Sequence, residues 1–161
     1  MWIYWTTPKR WNPVSPIIRL MEKTPWSHCM LVFKLKNGKM KVFQANFSGI
    51  HVMDLEDFLL EHKVMDSHKY ELTHEEQDCL LSVILDLVGK SYGYLTIIGN
   101  LFNRLMPFIR RPILADGTKT FKCGELIVFT LKKVKNIRMR YKESDGPKKV
   151  WEEAKGKAYV Q

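Results

Sequence analysis

The stretch Trp26-Ser27-His28-Cys29-Met30-Leu31-Val32-Phe33-Lys34-Leu35-Lys36-Asn37-Gly38-Lys39-Met40-Lys41-Val42-Phe43-Gln44-Ala45-Asn46 decides how this chain folds. Two runs rich in β-branched and aromatic residues, His28 to Leu35 and Met40 to Asn46, flank Lys36-Asn37-Gly38-Lys39. Asn and Gly tolerate positive φ, so the pattern predicts a β-hairpin. Its register matters, because a slip of one residue carries every side chain to the other face of the sheet. A plain two-residue turn at Asn37-Gly38 would pair Leu35 with Met40 and Leu31 with Gln44, turning Gln44 away from His28. A three-residue turn with Gly38 as a G1 bulge instead pairs Leu35 with Lys39, Met30 with Gln44 and His28 with Asn46. The bulged register keeps Phe43 and Ala45 with Leu31 and Phe33 and puts Gln44 and Asn46 on the face of His28. It is the register expected.

Outward from the hairpin, Met1 to Trp5 reads as a short strand and Thr6 to Pro16 as a proline-bearing loop. Ser15-Pro16 predicts an N-cap with proline at the first helical position, opening a helix through about Met21. Asp54 to His62 has the pattern of a short amphipathic helix, and Lys69 to Leu72 that of a strand. Thr73 followed by Glu76 makes a capping box, after which Cys79, Leu80, Val83, Ile84, Leu87 and Val88 recur at helical spacing until Gly89. Lys90 to Leu114 is aromatic and glycine-punctuated, with a helix expected between Leu95 and Met106. Leu126, Ile127, Val128, Phe129, Leu131 and Val134 leave little polar face after Cys123, which predicts a central, buried helix. Ile137 to Tyr141 alternates as a strand, and Pro147 to Ala158 reads as a polar terminal helix.

Composition bounds the rest. At 161 residues and 45% hydrophobic content, one domain over 1–161 with its own core is expected. Cys29, Cys79 and Cys123 make no complete disulfide framework and match no common zinc spacing, so reduced thiols, no metal and no cofactor are expected. No leader-like succession and no apolar run near the ~20 residues of a membrane span is seen, which predicts a cytoplasmic protein. The net charge of +9 is densest from Lys132 to Lys142 and Lys148 to Lys157. Acidic residues interrupt that block, which fits a solubilising surface better than a specific nucleic-acid site. An anionic membrane surface, met through Trp2, Trp5, Trp11 and the basic block, is the alternative partner.

The chemistry sits in a separated pair. Cys123 in Phe121-Lys122-Cys123-Gly124-Glu125-Leu126 opens a helix, and His28 opens a strand. A thiolate is a good nucleophile when an imidazole takes its proton and a helix N-terminus favours its charge. The imidazole in turn needs a partner on its second nitrogen, and the bulged register offers Gln44 or Asn46. Cys29 is expected on the opposite face and Cys79 within its helix packing, both as core residues. His51, His62, His68 and His74 are expected to be solvated, and Glu125 to serve the helix start.

These residues resemble the circularly permuted branch of the NlpC-type papain-like hydrolases, the YiiX-like proteins related to lecithin retinol acyltransferase. Trp26-Ser27-His28 is similar to that branch's histidine strand, and Val42-Phe43-Gln44-Ala45 with Gly49-Ile50 to its following strand with the third polar residue. Gly89-Lys90-Ser91-Tyr92 resembles its Gly-Lys-Pro-Tyr turn, and Cys123-Gly124-Glu125-Leu126 its Cys-Ser-Glu-Leu helix start. Two positions depart from the pattern: Gln44 is neutral where an acid is common, and Gly124 stands where Ser is usual. The resemblance implies an α+β, permuted papain-like fold with a small antiparallel sheet against the cysteine helix. It implies a cysteine hydrolase or acyltransferase with Cys123 as nucleophile, His28 as base and Gln44 as orienter. The Cys123 backbone N–H and the Tyr92 hydroxyl, with Tyr94 as its rival, would meet the oxyanion. Peptide amides such as those of cell-wall peptides are the first substrate class it implies, and lipid esters the second. The competing class is a binding module that keeps the fold without the chemistry.

Overall fold

The computed structural model describes residues 1–90, 121–142 and 145–157. Its centre is a five-stranded antiparallel sheet in the order β4-β3-β2-β1-β5. The strands are β1 (Trp2–Pro8), β2 (His28–Lys34), β3 (Met40–Asn46), β4 (Gly49–Asp54) and β5 (His62–Lys69). Among the described residues the helices are α1 (Val14–Glu22), α2 (Leu55–Glu61), α3 (His74–Leu87), α4 (Cys123–Lys135) and α5 (Pro147–Lys157). The α+β class with a small antiparallel sheet is therefore as expected.

The hairpin takes the bulged register. Leu31 pairs with Phe43, Val32 with Val42 and Lys34 with Met40. At the turn, the Leu35 N–H donates to the Lys39 carbonyl at 2.9 Å, the Gly38 N–H donates to the Leu35 carbonyl at 2.9 Å, and Gly38 has φ +87°. The consequence for packing is the predicted one. Leu31, Phe33, Phe43 and Ala45 share the principal core with Ile3, Trp5, Leu126, Ile127 and Leu131. Met30, Val32, Val42 and Phe58 form a smaller cluster. Each such side chain taken fully out of water contributes about 1.5–3 kcal/mol before entropy is counted.

Helix α4 is buried along its length, through Leu126, Ile127, Thr130, Leu131 and Val134, and ends at Asn136 with φ +53°. Helix α3 starts on the expected capping box: the Thr73 N–H donates to Glu76 Oε2 at 2.9 Å and the Glu76 N–H to Thr73 Oγ1 at 3.2 Å. Helix α5 is tied down by Trp5 Nε1 donating to the Pro147 carbonyl at 3.1 Å and Trp151 Nε1 donating to Asp66 at 2.6 Å. Cys79 is only half-buried, its thiol 3.7 Å from the Lys133 carbonyl.

Four local expectations are corrected. Strand β1 continues through Thr6 and Thr7 to Pro8, because neighbouring strands supply ladder partners there and Pro8 closes the strand where its missing N–H costs little. Helix α1 is capped by Asn12, whose Oδ1 accepts from Val14 and Ser15 N–H at 2.9 and 3.3 Å. Ser15 instead lies inside the helix, its hydroxyl 2.7 Å from that of Ser27. The strand expected at Lys69 to Leu72 runs earlier, as β5, with burial alternating residue by residue on an edge. Polar residues on both of its faces hid it. Ile137 to Tyr141 is not a strand, since no sheet edge receives it; Arg140 N–H bonds Glu153 Oε2 at 3.0 Å instead. The helix expected between Leu95 and Met106 lies outside the described residues.

Candidate functional site

Cys123 is the first residue of α4, where backbone N–H groups have no partner within the helix and the macrodipole favours negative charge. Glu125 reaches back so that its Oε2 accepts the Lys122 N–H at 3.0 Å, which fixes the first turn. This is the structural part expected of it. Gly124 has a reason that spacing could not show. A Cβ there would collide with the Tyr141 hydroxyl and come within 2.9 Å of its Cζ, so any side chain at this position requires the ring to move. The Tyr141 hydroxyl donates to the Asp145 carbonyl at 2.6 Å. Burial, then the charge of Cys123, pushes the phenol far above its ordinary range, so it stays protonated.

The structure brings Cys123 together with two successive residues of β2, His28 and Cys29. His28 is half-buried and Cys123 is 7% exposed. His28 Nε2 lies 2.9 Å from Gln44 Oε1, which leaves Nδ1 as the ring nitrogen for the thiol. Asn46, the other candidate orienter, is occupied elsewhere: its Oδ1 accepts the Ser48 N–H at 2.9 Å in the turn before β4. Gln44 is 3% exposed, so its amide has no bulk water to fall back on. Tyr92 and Tyr94 lie outside the described residues.

Electrostatics favour the ion pair. Burial works to lower the His28 pKa, but hydrogen bonding and charge from Cys123, with the Gln44 hydrogen bond, outweigh it and leave it raised. Cys123 is held well below the ordinary thiol range, first by the Cys29 thiol and, against the cost of burial, by the hydrogen bond and charge of His28. Cys29 moves the opposite way: burial and then Cys123 push it well above the usual range, so it keeps its proton and acts as donor. The alternation of β2 placed Cys29 in the principal core, as expected, but gave no sign of its contact with Cys123. Because that donor lowers the Cys123 pKa, Cys29→Ala is expected to move the alkylation profile of Cys123 to higher pH and slow labelling at neutral pH several-fold. An unchanged pH–rate profile would count against this part for Cys29.

The histidines expected to be solvated divide. His74 starts α3 and is exposed, in line with expectation. His62 stacks on Phe58 at 4.1 Å between ring centroids, and His68 meets Tyr70 edge-on at 4.8 Å. His51 is paired across from Gln44 in β4, with its Nε2 3.2 Å from Gln44 Nε2 and its Nδ1 3.3 Å from the Gly49 carbonyl. What the linear pattern lacked was the pair of strands β4 and β5, which carry His51, His62 and His68 into contact with the sheet.

A groove beside His28 is walled by Ser15, Ser27, His28, Gln44, Phe47 and His62, among others. It reaches the His28 imidazole and the Gln44 amide, and Phe47 stands 54% exposed at it. The sequence matches no protein-family model and no curated protein. Among the described residues there is no cluster of His, Cys, Asp and Glu able to hold a metal ion, and no helix is long and apolar enough to cross a membrane.

The surface expected to meet an anionic membrane is also redistributed. Trp5 is fully buried and Trp2 packs in the smaller cluster, while Trp11 is 85% exposed. In the basic block, Lys135 pairs with Glu76 at 2.9 Å, Lys149 with Glu153 at 3.2 Å and Lys155 with Asp66 at 3.1 Å.

Proposed function

We propose that the protein is a cysteine-dependent hydrolase, a peptidase or amidase in the first instance, of the permuted NlpC-type papain-like architecture. The observation that carries the reading is the chain Cys123, His28, Gln44: a thiol at a helix start, an imidazole close enough to help hold that thiol below its ordinary pKa, and a buried amide oxygen 2.9 Å from the imidazole Nε2. His28 takes the Cys123 proton and the thiolate attacks the acyl carbon. The tetrahedral oxyanion meets the Cys123 N–H, with Tyr92 as the second donor that the family resemblance implies. His28 then gives its proton to the leaving nitrogen or oxygen, and a thioester remains. Water, deprotonated by the same imidazole, attacks the thioester and releases Cys123 as thiolate. A different acceptor in place of water makes the reaction an acyl transfer. Gln44 supplies orientation without charge, so it stabilises the imidazolium less than a carboxylate would.

The groove at His28 mixes polar and apolar walls that would accept an amide or, along the exposed Phe47, the chain of a lipid ester; Cys123 is not among its lining residues. Three unpaired thiols accord with a reducing, cytoplasmic setting. The low exposure of Cys123 favours a second reading, a binding module that keeps the fold without turnover. An activated ester of a small acyl group separates the two. An enzyme gives a rapid burst and an acyl adduct on Cys123 that hydroxylamine removes. Absence of any adduct, with the folded chain intact, leaves the binding module.

A further inference from the structure

We propose that His51 is a positioning residue that sets, through the Gln44 amide, which nitrogen of His28 carries the proton. This rests on the roles given above to His28 and Cys123.

Two groups in the network have a fixed polarity, the Gly49 carbonyl and, as a weaker acceptor, the Met53 thioether. The Gly49 carbonyl oxygen only accepts, and His51 Nδ1 lies 3.3 Å from it, so in the neutral imidazole Nδ1 holds the proton and Nε2 the lone pair. Gln44 Nε2, which only donates, lies 3.2 Å from that lone pair and 3.2 Å from Met53 Sδ, so both amide protons have acceptors. The amide oxygen is thereby turned to His28 Nε2, 2.9 Å away. An oxygen there requires Nε2 to be protonated, leaving the Nδ1 lone pair for the Cys123 proton. The two ends of a primary amide have nearly the same shape, so packing alone does not choose between them. Turned over, the amide would offer N–H to His28 Nε2, place the imidazole proton on Nδ1, and disable the base on the side that matters. His51 stands directly opposite Gln44 in the β3–β4 ladder, which is what brings it within reach.

The test uses the full chain. Nitrogen NMR of ¹⁵N-histidine-labelled protein in a Cys123→Ala background, where no thiolate holds the ring charged, reads the tautomers of His28 and His51. The expected result is His28 protonated on Nε2 and His51 on Nδ1. With Cys123 present, His51→Leu should slow iodoacetamide labelling by about 10- to 100-fold and, in the Cys123→Ala background, populate the Nδ1–H form of His28. Adding Gln44→Glu to His51→Leu should restore both readouts, because a carboxylate has two acceptor oxygens and no orientation to choose. An unchanged His28 tautomer in His51→Leu, or a loss that the added Gln44→Glu change fails to reverse, would overturn the proposal. If His51→Leu does not fold, finding His51 protonated on Nε2 in the parent chain overturns it equally. Slow labelling of Cys123 in the unmodified chain would instead defeat the hydrolase reading, while the tautomers still decide the part of His51.

Discussion

His28→Ala is expected to slow alkylation of Cys123 at neutral pH by about 100-fold or more, the usual scale for removing a positioned base. Two effects combine. The variant removes the acceptor of the thiol proton, and it removes the positive charge that helps hold Cys123 below the ordinary thiol range. In the parent chain the rate should therefore persist as pH falls below the range of ordinary thiols and decline only where Cys123 itself takes up a proton. In His28→Ala that decline moves to higher pH, so the two rates converge in alkaline solution. Cys79, half-buried with its thiol 3.7 Å from the Lys133 carbonyl, serves as an internal reference. Equal, slow labelling of Cys123 in both proteins would end the case for an activated nucleophile.

Gly49→Ala is expected to lose about 2–4 kcal/mol of stability, read as a fall of about 10 °C in Tm. Gly49 has φ +100°, where an L side chain is strained, and a Cβ there would approach the Lys90 carbonyl oxygen to 2.9 Å. That oxygen is held in place, since it accepts the Ile50 N–H at 2.9 Å while the Gly89 N–H donates to the Ile50 carbonyl at 2.9 Å. The backbone on either side therefore has no slack. Because Gly49 also accepts from His51 and pairs with Asn46 at the start of β4, the substitution should reduce Cys123 reactivity along with stability. Unfolding midpoints by circular dichroism, with labelling rates well below the midpoint, separate the two effects. A variant as stable as the parent would mean that the β3–β4 turn relaxes at no cost.

The sequence by itself determined what depends on neighbours a few residues apart. Asn37-Gly38 demanded a bulged turn because the apolar set from Leu31 to Ala45 had to share one face, and that register already put Gln44 with His28. Thr73 and Glu76 marked the start of α3, and the unbroken apolar face after Cys123 marked α4 as central, for equally local reasons. Tertiary structure decided the rest, because it depends on which distant groups meet. Gln44 rather than Asn46 faces the imidazole because Asn46 is drawn into the turn at Ser48. Cys29 came to lie against Cys123, and Tyr141 over Gly124, through packing of a helix far along the chain from the strand it covers. Strand β5 exists because β1 offers it an edge, although its own polar alternation favours no buried face. His51 joined the site for the same reason. Its neighbours in sequence give no sign of a partner, and only the pairing of β3 with β4 sets its ring against the Gln44 amide that hydrogen-bonds His28.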